Sequence, residues 1–224
     1  MPRLSAAIVC KDNAATISDT LASLRGLADE VVAVDSGSTD GTIGLLEAAG
    51  ARVVRSPWLG HIRTKQMALE LATGPWVLAI DSDERVLPDL RAAIVGALDR
   101  DDPGVSALAL NRKTWYRGRA LEHAWQPEWR VRLVRKGRAA WGGMDPHDAL
   151  AATDGGTTER LAGTLRHDSF VTFDEHLSRQ CGYARIWARE MHRRGQKGSY
   201  WRLLTSPAGA FLKQLVVKGG WRDG

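Results

Sequence analysis

Asp81-Ser82-Asp83-Glu84 is the stretch of the chain with the clearest capacity for chemistry. It sets two carboxylates two residues apart where an apolar run, Trp76-Val77-Leu78-Ala79-Ile80, gives way to acid. In extended chain such residues project to the same side, so Asp81 and Asp83 converge on one cation. A few hard oxygen donors, with the other positions left to water and phosphate, suit Mg²⁺ or Mn²⁺. The pattern alone is weak, because it recurs at Asp99-Arg100-Asp101. That copy follows a helical pattern and leads into Asp102-Pro103-Gly104, which makes it a solvated turn. The first copy ends an apolar run that starts after Gly74-Pro75, as in a strand buried on both faces. In open α/β sheets ligands bind outside the carboxyl ends of such strands.

The elements that must position these acids follow a regular order. Leu4 to Cys10 reads as the first strand and Glu30 to Asp35 as the second, and each is followed or closed by acid, Asp12 and Asp35. Ala51 to Arg55 is a third strand and the Trp76 run a fourth. Between them, Ile17, Leu21 and Leu24 define one helix face behind Asn13 as N-cap, a second helix carries Ile43 and Leu46, and a third runs from Ile62 to Thr73. Pro88 opens a fourth helix with Leu90, Ile94 and Leu98. Fourfold alternation of strand and helix predicts an α/β fold with a mostly parallel, doubly wound sheet flanked by helices. After Gly104 the chain becomes basic and aromatic. Strands are expected at Ser106 to Asn111, Val131 to Arg135 and Leu161 to His167, and Gly142 to Pro146 is expected to be irregular. Thr172-Phe173-Asp174-Glu175 has capping-box form and opens a long helix with a face of Leu177, Cys181, Ala184, Ala188 and Met191. The expected division is one domain over 1–172, in two halves at 1–104 and 105–172, then a helical, basic extension over 173–224.

Composition narrows the class. An apolar fraction of 44% and a charged fraction of 25% in 224 residues are those of one sizeable soluble domain with a tail. Cys10 and Cys181 lie far apart without metal-ligand spacing and read as buried thiols of a reducing compartment. No run approaches the roughly 20 apolar residues of a spanning helix. Residues 176–224 carry net +8 against +5 for the whole chain, so the first 175 residues carry −3. The basic end suits a phosphate-bearing or anionic lipid surface. Nine tryptophans against three tyrosines and three phenylalanines supply flat apolar faces for packing and for stacking on sugar rings.

The run Ala28-Asp29-Glu30-Val31-Val32-Ala33-Val34-Asp35-Ser36-Gly37-Ser38-Thr39-Asp40-Gly41-Thr42, with Asp81-Ser82-Asp83-Glu84, resembles the inverting family 2 glycosyltransferases of the GT-A fold. The nearest subgroup is the bacterial enzymes that glycosylate the lipopolysaccharide inner core. Lys65-Gln66, the Pro127, Arg130, Arg132, Leu133 and Arg135 pattern, and His147-Asp148 also match, with aspartate where the subgroup has glutamate at 148. The resemblance implies a nucleotide-diphosphate sugar donor, a UDP-hexose such as UDP-glucose, and a glycan or lipid-linked saccharide acceptor. Asp12, Asp35, Lys65, Asp81 and Ser82 are then expected around the donor. Asp83 is expected as the main ligand of a divalent cation, with Asp81 and His147 as further ligands. Asp148 is expected as the general base, since an acceptor hydroxyl must lose its proton as it attacks; Asp145 and Asp168 are its rivals. From Pro207 onward the basic, apolar tail is expected to lie on the inner face of the cytoplasmic membrane. A sugar-phosphate nucleotidyltransferase would place a Gly-rich loop after the first strand, where Cys10-Lys11-Asp12-Asn13 has none. A nucleic-acid-binding protein accords with the basic balance but not with acids gathered at strand ends, and no nucleic acid partner is expected.

Overall fold

The computed structural model describes residues 2–144, 147–168 and 172–223. They group into two units, one of Met1–Arg112 with Trp129–His167 and one of Lys113–Glu128 with Asp168–Gly224. The boundary thus differs from one at residue 172, because the segment 113–128 groups with the C-terminal residues.

The first unit is built on one sheet. Strands β1 (Leu4–Cys10), β2 (Glu30–Asp35), β3 (Arg52–Arg55) and β4 (Trp76–Asp81) form its parallel half, in the order β3-β2-β1-β4. Helices α1 (Ile17–Leu24), α2 (Thr42–Ala48) and α3 (His61–Leu71) make the connections. After β4 come the short β5 (Glu84–Val86) and helix α4 (Pro88–Arg100), then β6 (Val105–Tyr116), β8 (Trp129–Arg135) and β11 (Thr157–His167). The sheet continues β4-β8-β6-β11-β5, with antiparallel pairing of β4 with β8, β8 with β6, and β11 with β5. Only Ser82 and Asp83 separate β4 from β5 in sequence, yet three strands separate them in the sheet. The sheet must therefore curl so that its far edge returns to the carboxyl end of β4.

Residue alternation in the strands decides which helix packs where. Leu4, Ala6 and Ile8 of β1, with Leu78 and Ile80 of β4, share a core with Ile17, Leu21 and Leu24 of α1 and Leu90, Ile94 and Leu98 of α4. Each fully buried leucine or isoleucine there contributes roughly 1.5–3 kcal/mol. The other face carries Ala7, Val34, Val77 and Ala79 against Ala68 and Leu69 of α3, Ala72 just after it, and Trp141 and Leu150. Gly163 has φ +101, and a Cβ there would stand 2.5 Å from the Leu90 backbone nitrogen, so β11 and α4 pack closely only because it is glycine.

Several local expectations change. Asn13 does not cap α1; its side chain accepts the Lys11 N–H at 2.8 Å, and the helix starts at Ile17. The diglycine segment is not irregular up to Met144: β9 (Ala139–Met144) pairs antiparallel with β10 (His147–Ala152). Cys10 is buried, and burial first, then the neighbouring Asp35, push its thiol up to about 12. Cys181 is exposed, contrary to the expectation of two buried thiols.

In the second unit, β7 (Arg119–Ala120) pairs with the end of β6, and Asp223 accepts from the N–H groups of Glu122, His123 and Ala124. Helix α5 (Phe173–Arg193) has the expected cap, with Thr172 Oγ1 accepting the Glu175 N–H at 3.2 Å. Its apolar stripe, however, stays unburied. Helix α6 (Tyr200–Leu212) begins before Pro207, because Ser199 caps it by accepting the Arg202 N–H. Trp201, Leu204, Phe211 and Val217 in and after α6 are all more than 60% exposed. No helix of the described residues is long and apolar enough to cross a membrane.

Candidate active site

Register fixes the frame of the site. In the β1–β2 pairing Cys10 stands opposite Asp35, and in the β1–β4 pairing Val9 stands opposite Asp81. Asp35 and Asp81 therefore end strands two spacings apart on one sheet edge, roughly 10 Å.

Beside Asp35 lies a cleft of about 380 Å³ bordered by Asp35, Ser36, Ser38, Ile43, Arg55 and Ser56. Asp35 organises its wall: Oδ1 accepts the N–H groups of Gly37 and Ser38, both at 3.0 Å, and Oδ2 accepts the Ser38 hydroxyl. Burial alone would raise the Asp35 carboxyl, but these donors outweigh it and hold the group below its ordinary value. Asp12, in the left-handed conformation at φ 52, accepts the Thr39 N–H at 2.7 Å and donates its own N–H to Ser38. The two acids thus tie the loops after β1 and β2 together. The Ser36 hydroxyl is buried at this cleft without a partner.

At the end of β4 the acids are not free. Asp81 Oδ1 is 3.0 Å from Lys65 Nζ, and Oδ2 is 2.5 Å from an Arg132 nitrogen. Lys65 also donates to Asp148 Oδ2 at 2.8 Å, and its ammonium lies 4.7 Å from the centre of the Trp141 ring. Arg132 reaches Glu84 at 2.6 Å, and Glu84 in turn accepts the Asp81 N–H at 3.0 Å. Glu84 is fully buried. Burial would raise the Asp81 carboxyl, but Arg132 and Lys65 hold it well below the usual carboxylate range. Burial would lower the Lys65 ammonium, and Asp81 and Asp148 outweigh that loss, so its pKa is raised.

Local sequence explains these placements. Thr64, Ala68 and Leu69 are the buried residues of α3; Lys65 falls in the same stripe by helical period. Asp148 sits opposite Gly143 in the β9–β10 pairing. Gly143 has φ +98, and a Cβ there would stand 2.6 Å from the His147 carbonyl oxygen, so glycine lets β10 approach.

Asp83 meets the far edge of the sheet. Its Oδ1 is 3.7 Å from His167 Nε2 at the end of β11, and both side chains are largely buried. The curl of the sheet makes this meeting, because β5 pairs with β11 through Glu84 opposite His167. His147, expected as the imidazole ligand, is an exposed residue at the start of β10; the imidazole beside Asp83 is that of His167. Asp81, expected as a ligand too, has both oxygens engaged by protein cations. Asp145 lies outside the described residues, and Asp168 belongs to the second unit. Among the described residues no three His, Cys, Asp or Glu side chains gather to hold a metal by themselves. Sequence reasoning missed Arg132, Glu84, Trp141 and His167 as neighbours of the acids. Only Glu84, contiguous with Asp83, carried any local signal.

The arrangement pairs a cleft of about 380 Å³ with a carboxylate–imidazole pair and an ionised carboxylate network on one sheet edge. Comparison with known proteins agrees in kind. The glycosyl transferase family 2 model matches residues 5–150. The lipopolysaccharide core biosynthesis glycosyltransferase LpsC of Rhizobium meliloti is 30% identical, over 99% of this chain and 83% of that protein. An uncharacterized glycosyltransferase of Rickettsia typhi is 28% identical, over 97% of this chain and 78% of its own length. Among solved structures, glucosyl-3-phosphoglycerate synthase from Mycobacterium tuberculosis, in complex with Mn²⁺, UDP and glucosyl-3-phosphoglycerate, superposes with a TM-score of 0.52 at 21% identity. The match covers 88% of this chain and 82% of that one. The curled α/β sheet with its flanking helices is thus the GT-A fold, and the chain belongs to glycosyl transferase family 2.

Proposed function

We propose that this glycosyltransferase moves a hexosyl group, with inversion, from a UDP-sugar such as UDP-glucose to a hydroxyl of a glycan or lipopolysaccharide-core acceptor. The observation that carries this reading is the placing of the Asp35 cleft and the Asp83–His167 pair at the carboxyl edge of one sheet. A cleft of about 380 Å³ is within the range of ligand pockets. Asp12 and Asp35 offer carboxylates to uracil N–H and ribose hydroxyls, with Asp81 and Ser82 beside the ribose. Asp83 and His167 would hold a divalent cation. Asp83 Oδ1 and His167 Nε2, 3.7 Å apart and largely buried, would offer it one oxygen and one nitrogen donor. The cation's other positions would be left to diphosphate and water. When bound, the cation neutralises charge on the departing diphosphate. Asp148 takes the acceptor hydroxyl proton as that oxygen bonds to the anomeric carbon. The bond to the diphosphate breaks on the opposite face, and UDP leaves with the electron pair.

Calorimetry with nucleotides tests the donor and metal together. UDP is expected to bind more tightly with Mn²⁺ than without, and Asp83→Ala is expected to abolish that gain while the protein stays folded. Binding of GDP in place of UDP would overturn the base assignment, and an unchanged metal effect in Asp83→Ala would overturn the metal site.

The second unit supports a place of action. Exposed Trp201, Leu203, Leu204, Phe211 and Val217 lie among Arg202, Lys213 and Lys218. We assign this face to peripheral contact with the anionic cytoplasmic leaflet, where each basic residue contributes about 1 kcal/mol. In flotation on anionic vesicles, a Leu204→Glu, Phe211→Glu, Val217→Glu protein is expected to stay at the bottom while the parent floats. Equal flotation of the two removes the assignment.

A further inference from the structure

Lys65 is shared between two carboxylates that the proposed reaction uses differently. Its Nζ is 3.0 Å from Asp81 Oδ1, next to the donor turn, and 2.8 Å from Asp148 Oδ2, the base. The Lys65 side chain is 16% exposed and that of Asp148 12% exposed, so little water screens the pair. The indole of Trp141 covers another side of the ammonium. Asp81 also has Arg132, at 2.5 Å. Of the two carboxylates, Asp148 therefore depends more on Lys65.

We propose that Lys65 is a positioning residue that couples donor occupancy to the base: it holds Asp148 in the resting protein and shifts towards the diphosphate when the donor enters. The inference rests on the donor and base roles given above. Diphosphate brings two or more negative charges next to Asp81, a stronger counter-charge than one carboxylate. As Lys65 turns to it, Asp148 loses the ammonium that occupied Oδ2, and that oxygen opens to an acceptor hydroxyl. Acceptor activation then follows donor binding. By linkage, whatever weakens the Lys65–Asp148 pair must strengthen donor binding by the same factor.

That reciprocity gives a result a merely structural lysine would not produce. UDP binding in the presence of Mn²⁺ is measured by calorimetry, at one pH and ionic strength, for the full chain and three variants. Asp148→Asn is expected to bind UDP on the order of 10-fold more tightly than the parent, because Lys65 is no longer retained. In a Lys65→Met background the same Asp148→Asn change is expected to leave UDP affinity within about twofold, since no ammonium remains to be released. If Lys65→Met does not fold, Lys65→Gln serves as background, because its amide can still donate to both carboxylates without charge. Parental binding with no gain in Asp148→Asn overturns the coupling alone. A gain that persists in the Lys65 background also overturns it, as simple charge repulsion between Asp148 and diphosphate. Absence of UDP binding by the parent overturns the donor reading, and the coupling with it.

Discussion

Asp148→Asn is expected to lower kcat on the order of 10²–10⁴-fold, the usual contribution of a positioned general base. Asparagine keeps the shape and one oxygen but cannot accept the acceptor proton. The fold should be little affected, because the side chain is not part of either apolar core. The aspartate is one methylene shorter than a glutamate would be. Its reach comes from the backbone, which β10 brings close to β9 at Gly143. The loss should fall on kcat while UDP affinity rises, a split that a disordered site would not give. Near-normal kcat in Asp148→Asn, with Asp168→Asn inactive, moves the base to the other acid.

Arg132→Met is expected to destabilise the protein by about 3–5 kcal/mol, the range for breaking a buried ion pair by removing one partner. Arg132 is 4% exposed and binds Asp81 at 2.5 Å and Glu84 at 2.6 Å. Burial opposes its charge, but the two carboxylates more than compensate and raise its pKa. Methionine fills the volume but leaves Glu84 fully buried, with Arg112 only at 3.6 Å. A lower urea midpoint at unchanged m-value reports the effect. Arg132→Met combined with Glu84→Gln should recover part of it, because the stranded charge is then gone. A loss under about 1 kcal/mol would mean that water or Arg112 replaces the guanidinium.

The C-terminal helices show how pattern and burial can part. The capping box at Thr172 and the apolar spacing of α5 were legible, and the helix formed where they predict. Its face nonetheless remains unburied among the described residues, since periodicity says that a stripe exists and not what covers it. The start of α6 was missed because Pro207 draws attention to itself, whereas Ser199 caps the helix before it.

By itself the sequence determined the parallel half of the sheet. Apolar runs ending in acid at Asp35 and Asp81 fix strands, and strand ends fix where a ligand can sit. It also determined the acids at that edge, because Asp35 and Asp81 end their strands and Asp12 comes two residues after its own. Only the tertiary structure decided which charges meet. Lys65, Arg132, Asp148 and His167 come from a helix and three different strands, and their separations in sequence hold no information about contact. The curl that returns β5 and β11 to the end of β4 places His167, not His147, beside Asp83. The same folding closes Lys65 and Arg132 on Asp81. A buried charge is tolerable only with its partner in place, so a lone acid read from sequence cannot disclose whether it is open to a ligand or already held.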